Sequence, residues 1–325
     1  MIDTAYGFSP EIAMLLPEAN LAAGHIPMAE LLKIEEALSA TPGSILFSGP
    51  SGGAFTAAAA AAIFSSHVEY HGSSGKQAAL FGKAAREAGF KVINSPVSDA
   101  PAGRFISFIP ERIGPYANPG AALLFTGEHM PVLKQGDLPF FEGFLLSRLR
   151  ENLSVSCGTC AVDLASPGAA VKLHDILDRI SHDNRLILFG NRSESEHFFQ
   201  TPLENVHDVG TPMRKALRSF CSGGNIFLLK MGADGAWLFQ ADHTGLRGIY
   251  IPPVPVREIH SVNAGDMFAG AYLGGIASGL SPENAAAAAA EAGAAAVSRP
   301  GNRLSKETIL HVRSMLKGNR HAGGY

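Results

Sequence analysis

From residue 44 onward the chain alternates short β-rich runs with helical patterns, and this alternation restricts the fold more than any other feature. Residues 44–49 precede a helical pattern at 55–66, and 68–72 precede 77–89. Likewise 160–165 precede 169–180, and 186–190 precede 193–199. Strands separated by single helices form βαβ units, whose sheet is parallel and covered on both faces. The expected fold class is therefore α/β, with a doubly wound, mainly parallel central sheet and helices on both faces. Between residues 95 and 127 the rhythm lapses into Pro, Gly and β-type segments such as 104–109 and 121–125, which fits a small accessory β sheet.

The last third of the chain is the most legible. Runs 225–230 and 236–240 flank Gly232-Ala233-Asp234-Gly235, a tight connection that needs positive φ. Run 248–252 then leads through prolines to His260-Ser261-Val262-Asn263-Ala264-Gly265-Asp266, where a small-residue turn opens a helix. Gly270, Gly274 and Ser278 give that helix one face of small residues for close packing. Ser281 caps the next helix with Pro282 at its first position, and Pro300-Gly301 ends it.

Composition narrows the function classes. Apolar residues make up 46% of the 325, enough to bury a core as one large domain with an appendage or as two domains. With 26 basic and 29 acidic residues and no run of like charge, nothing favours nucleic acid or anionic lipid over a small-molecule partner. The most apolar stretches, 56–64 and 284–297, are shorter than the ~20 residues a bilayer span needs. Three cysteines and the lack of a basic-then-apolar start point to a cytoplasmic protein. Cys157-Gly158-Thr159-Cys160 has redox or zinc spacing but precedes a strand and lacks a second such pair. Gly72-Ser73-Ser74-Gly75-Lys76 is too short for a Walker A loop and is followed by Gln77. A nicotinamide dehydrogenase would need G-x-G-x-x-G after an early strand, and Pro50 and Ala54 spoil that pattern.

The richest chemistry lies at Asn263-Ala264-Gly265-Asp266. Small residues at a helix start let backbone N–H groups converge on an anion, and the helix dipole favours negative charge there. An aspartate in the first turn can take the proton of an attacking hydroxyl. An ordinary capped helix would look the same in isolation.

Other segments join this one in a consistent order. The stretch 256–273 resembles the second signature of the ribokinase-like (PfkB) carbohydrate and nucleoside kinases, Asp-Thr-x-Gly-Ala-Gly-Asp followed by a Gly-rich helix. Ser48-Gly49-Pro50-Ser51-Gly52-Gly53 resembles their glycine-rich substrate loop. Glu142-Gly143-Phe144 and Val162-Asp163-Leu164-Ala165 resemble strand ends of adenosine-kinase-like members. Asn191-Arg192-Ser193-Glu194 matches the Asn-x-x-Glu motif, and Gly232 to Gly235 the turn beside the nucleotide.

The resemblance implies one ribokinase-like α/β domain over 1–325, with a small lid from parts of 5–30 and 97–128. It implies ATP and Mg²⁺ as cofactors and a sugar or nucleoside as the small-molecule partner, with a homodimer left open. Asp266 would be the general base, and the backbone at Asn263, Ala264 and Gly265 the anion hole. Asn191 and Glu194 would hold Mg²⁺ through water, with Gly232 and Gly235 beside the nucleotide. Asp3, Ser51, Gly52, Gly53 and Glu142 would meet the substrate, Asp3 standing for an Asp that follows a first strand absent from this sequence. Asn191 to Glu194 alone would read as a helix cap with its N3 acid.

There are departures from the family pattern. Ala54 stands where the loop carries a substrate-binding Asn, Lys76-Gln77 replaces an acidic pair, and His260 replaces the Asp that opens the second signature. Asn263 replaces its first glycine, and Asn is the non-glycine residue best able to take left-handed geometry. These changes fall on the substrate side, which favours a changed substrate over lost chemistry. The alternative is a catalytically silent relative that binds a sugar, nucleoside or nucleotide.

Overall fold

The computed structural model describes residues 1–7, 16, 24–109, 115–149, 155–205, 208–299, 309–310 and 313. The chain divides into two compact units. The first comprises Met1–His129, Val256–Met267 and Ala292–Arg313, and the second Met130–Pro255, Phe268–Glu291 and Ser314–Tyr325.

In the first unit, strand β1 (Ile2–Gly7), β2 (Gly24–His25), helix α1 (Met28–Ser39) and β3 (Ile45–Pro50) are followed by α2 (Gly53–Ala61), β4 (Glu69–Gly72), α3 (Ala78–Ala88), β5 (Lys91–Asn94), β6 (Ala102–Ile109) and β7 (Tyr116–Gly120). A five-stranded sheet runs in the order β2-β7-β6-β1-β3, while β4 and β5 form a separate parallel pair. Helix α1 packs on one face of the larger sheet because its apolar residues Leu31, Ile34 and Leu38 recur at helical spacing and join Tyr6, Ile106 and Phe108 in one core cluster. Phe55 of α2 sits among Phe81, Phe90 and Tyr70, with ring centroids 5.1 to 5.4 Å away.

Two expectations change here. Asp3 lies inside β1, bonded on one side to β6 and on the other to β3, whereas the sequence suggested that a first strand was missing. Residues 121–124 form a 3-10 turn instead of a β segment. Gly120, at φ 51°, turns the chain out of β7, and Ala121 N–H then bonds Pro101 O. The stretches expected for the lid supply β2, β6 and β7, and β1 and β3 complete their sheet. Residues 8–15, 17–23 and 110–114 of those stretches lie outside the described residues.

The second unit begins with β8 (Phe140–Glu142), α4 (Gly143–Leu146), β9 (Gly158–Asp163), α5 (Pro167–Ser181), β10 (Asn184–Asn191) and α6 (Arg192–Phe199). It continues with α7 (Thr211–Cys221), β11 (Ile226–Lys230), β12 (Ala236–Asp242) and β13 (Gly245–Ile251). Its six strands lie side by side in chain order. The first four are mutually parallel, and β12 and β13 add an antiparallel edge. Most of β9, β10 and β11 is buried, as strands covered on both faces require. This is the mainly parallel central sheet that the alternating pattern implies.

Helices α8 (Ala264–Ala277) and α9 (Pro282–Val297) follow. They approach closely at Gly275, where a Cβ would lie 3.2 Å from that of Ala285. Ser281 accepts the Asn284 N–H at 3.3 Å and Pro282 opens α9, as expected. Pro300-Gly301 lies outside the described residues. No helix among the described residues is long and apolar enough to cross a membrane.

Candidate active site

In the first unit the functional residues are set by strand register. Side chains alternate across a strand, so Thr4 and Tyr6 face α1, where Thr4 Oγ1 donates to Glu35 and Tyr6 bonds Ser39. Asp3 and Ala5 face the other way. Asp3 lies opposite Phe105 and Ala5 opposite Ser107, so Asp3 and Ser107 share this second face. The segment that opens α8 runs along it. Asn263 Nδ2 donates to Asp3 Oδ2 at 2.6 Å and to Ser51 Oγ at 3.0 Å, and His260 Nε2 bonds Ser107 Oγ at 3.0 Å. His260, buried at this contact, occupies the position where the resemblance has an Asp.

The loop carrying Ser51 is held as tightly. Ser51 N–H donates to Met1 O, and its hydroxyl bonds Thr56. Gly52 turns the chain into α2 at φ 105°, where a Cβ would lie 3.2 Å from the Met1 nitrogen, and Gly53 begins the helix. Lys76 N–H bonds Ala100 O and Gln77 Oε1 accepts from Ala102 N, so this pair anchors a turn.

Asn263 has φ 62°, the left-handed geometry anticipated for it, and its carbonyl accepts from Met267 N at the start of α8. The half-buried Asp266 sits in the first turn. Of the amides expected to face an anion, Ala264 N–H donates to Ser261 O at 3.2 Å and would have to release it. Asp3 is 4% exposed, and its Oδ1 has no hydrogen-bond partner among the described residues. Burial pushes its carboxyl above the ordinary range, while Ser51, the Met1 amino group and Asn263 pull it back down.

In the second unit the expected residues stand at the C-terminal ends of the parallel strands. Glu142 ends β8 and lies opposite Asp163, which ends β9. Asn191 ends β10 and lies opposite Lys230, which ends β11. Gly143 is required after Glu142, because a Cβ there would come within 2.3 Å of Asp163 O. Asn191 and Glu194 form a reciprocal capping box: Asn191 Oδ1 accepts from Glu194 N, and Glu194 accepts from Asn191 N and Nδ2. Gly232 and Gly235 have φ 60° and 82°, the positive values their turn requires.

The sequence reading missed the partner that organises this end of the sheet. Lys230 Nζ reaches Asp163 Oδ2 at 2.5 Å, with the side chains 15% and 6% exposed. Burial raises the Glu194 carboxyl, the Lys230 charge lowers it, and Asp163 raises it again. Lys230 ends an apolar strand, and no local spacing links it to a residue 67 positions away.

Among the described residues no group of three or more His, Cys, Asp or Glu side chains could hold a metal ion. Asn191 and Glu194 offer oxygen donors, which suit a Mg²⁺ that keeps several waters and takes other ligands from phosphates. Cys157 and Cys160 are free thiols and buried, and burial raises both thiol pKa values, the opposite of what a reactive thiolate needs.

The fold and these strand ends define a ribokinase-like α/β protein. Two solved structures cover the chain almost entirely: adenosine kinase from Sinorhizobium meliloti (TM-score 0.74, 18% identity, 97% of this chain and 96% of that one) and a probable sugar kinase from Rhizobium etli (0.72, 18%, 96% and 95%). Ribokinase from Thermotoga maritima matches at TM-score 0.64 and 20% identity, over 97% and 96%. No curated protein sequence gives a significant match. The family model described as pfkB family carbohydrate kinase matches residues 112–309, more than half of the sequence, and the chain belongs to that family.

Proposed function

We propose that the protein is an ATP- and Mg²⁺-dependent kinase that moves the γ-phosphate to a hydroxyl of a sugar or nucleoside. One observation carries this reading beyond family membership. Asp266 lies in the first turn of a helix entered through left-handed Asn263, whose side chain holds a buried carboxylate, Asp3, with one oxygen unpaired among the described residues. That combination offers a base and a hydroxyl-binding group within one constellation.

In the proposed reaction Asp266 takes the proton of the acceptor hydroxyl as its oxygen bonds to the γ-phosphorus and ADP leaves. The amides at Asn263, Ala264 and Gly265 receive the phosphoryl oxygens, favoured by the positive end of α8. Asp3, Ser51, Gly52, Gly53 and Glu142 serve the acceptor, and the strands at 24–25, 102–109 and 116–120 serve as the lid. The nucleotide follows the rule that open α/β sheets bind ligands at strand C-termini, with Gly232 and Gly235 letting backbone approach it. A bound Mg²⁺ would neutralise charge on the phosphate oxygens, held through water by Asn191 and Glu194.

The test is ADP release from MgATP across pentoses, hexoses and nucleosides, with wild type and Asp266→Asn compared. A kinase releases ADP with at least one acceptor and loses most of that turnover in the variant. If no acceptor supports release and both proteins bind the same ligands equally, the protein is the silent binding relative.

A further inference from the structure

Asn263 replaces the first glycine of the signature, and its side chain does not act as asparagine usually does at a helix start. An N-cap Asn turns its Oδ1 back to accept an amide of the first turn. Here the backbone carbonyl of Asn263 starts the helix by accepting from Met267 N. The side-chain NH2 points away, to Asp3 Oδ2 at 2.6 Å and Ser51 Oγ at 3.0 Å. An amide nitrogen carries two hydrogens, so each has its own acceptor.

This arrangement fixes the orientation of the carboxylate. Asp3 is anchored by the strand pairing of β1 on both sides. With Oδ2 held by Asn263, rotation of the carboxyl group is restricted and Oδ1 is left buried without a partner among the described residues. A buried polar atom left without a partner costs as much as a lost hydrogen bond, and native structures rarely retain one without a reason. The partner that fits Oδ1 is a hydrogen-bond donor such as a hydroxyl. Ser51 belongs to the glycine-rich loop, so the same amide also joins that loop to the start of α8.

We propose that Asn263 is a positioning residue that clamps the Asp3 carboxylate so that Oδ1 receives a hydroxyl of the phosphoryl acceptor. The proposal rests on the kinase reading above. The family glycine lacks the side chain needed for this bond, so the clamp is particular to this chain's substitution.

Two measurements test it, and their failures differ. The first needs no activity. In protein labelled with ¹³C at the aspartate carboxyls, the Asp3 resonance is assigned by its loss in Asp3→Asn and titrated by NMR in wild type and in Asn263→Gly. Glycine accepts φ 62° without strain, so the backbone there is preserved. Loss of a donor to the ionised carboxylate should move the Asp3 midpoint upward. An unmoved midpoint overturns the clamp, whatever the enzyme does.

The second uses the acceptor found in the ADP-release panel. In Asn263→Gly its KM should rise on the order of tenfold, the scale of one charge-assisted hydrogen bond, with a smaller change in kcat. An unchanged KM overturns the proposal. Should Asn263→Gly fail to fold, wild type decides: saturating acceptor must shift the Asp3 carboxyl resonance, and no shift refutes the contact. If no acceptor in the panel is phosphorylated, the kinase reading has failed and the acceptor role falls with it. The ligand-free titration still reports on the clamp separately.

Discussion

Replacing Lys230 by Met keeps the length and apolar stem of the side chain but removes the charge that faces Asp163. The pair is 2.5 Å long, with the lysine side chain 15% and the aspartate 6% exposed. Asp163 would keep its bond from Ala165 N, yet it would stay buried without its counter-charge. Removing one member of a buried pair costs about 3–5 kcal/mol, and the partial exposure of Lys230 places this case near the lower figure, about 3 kcal/mol. With a urea m-value of about 3 kcal/mol/M, the unfolding midpoint should fall by about 1 M. Trp237, the only tryptophan, lies on β12 opposite Leu229 and reports this unit's unfolding by fluorescence. Lys230→Met with Asp163→Asn removes the orphaned charge and should recover at least half of the loss. The pH dependence adds a second check. Burial raises the Glu194 carboxyl and Lys230 lowers it, so without Lys230 it rises further. A carboxyl raised above its ordinary 4.5 stabilises the fold fully only below that value, and the benefit is lost as pH climbs through the folded-state value. The deficit of Lys230→Met should therefore shrink on acidification and widen towards neutral pH. A neutral-pH loss below about 1 kcal/mol, the scale of exposed pairs, would refute the argument that this pair is desolvated.

Three further outcomes follow from the geometry. Asp266→Asn should lower turnover by roughly 10²–10⁴-fold while calorimetry shows little change in ATP affinity, and a large loss of stability would mark Asp266 as structural instead. Gly143→Ala should destabilise the second unit strongly, since its Cβ would meet Asp163 O at 2.3 Å and Leu173 at 2.9 Å; chemical denaturation followed by Trp237 would show a lowered midpoint. Cys157, Cys160 and Cys221 are buried, and burial pushes the Cys221 thiol up to about 12, so a thiol reagent at pH 8 should label the native protein slowly and the unfolded protein at all three sites. Rapid native labelling would contradict that burial.

The local geometry of the candidate site was legible where single residues carried a conformational demand. Gly232 and Gly235 announce positive φ, and Asn263 in a glycine's place announces the same geometry, which the structure shows. Ser281-Pro282 marks a helix start by chemistry alone. Residues 121–125 were misjudged because an apolar run of that length has no period that separates strand from helix, and Gly120 decided the matter through its backbone angle. The Asp163–Lys230 pair, the Ser107–His260 bond and the Asn263–Asp3 clamp were hidden for another reason. Each joins strands or loops through the register of a sheet, across 67, 153 and 260 residues, and such contacts leave no local spacing to read. Asn191 and Glu194 were legible in both of their readings, and the capping box is the one drawn in the hydrogen bonds.

The strand order of the two sheets sets when each can be completed as the chain emerges from the ribosome. In the second unit every strand lies beside its neighbour in sequence, from β8 through to β13, so the ladder can extend one strand at a time with short loop closures. In the first unit β1 must wait for β6, beginning about a hundred residues later, before its parallel pairing forms. The Asn263 amide closes on Asp3 only when the chain has returned across 260 positions. Until β6 is made, β3 covers one edge of β1 while the other edge offers unpaired backbone to any other nascent chain.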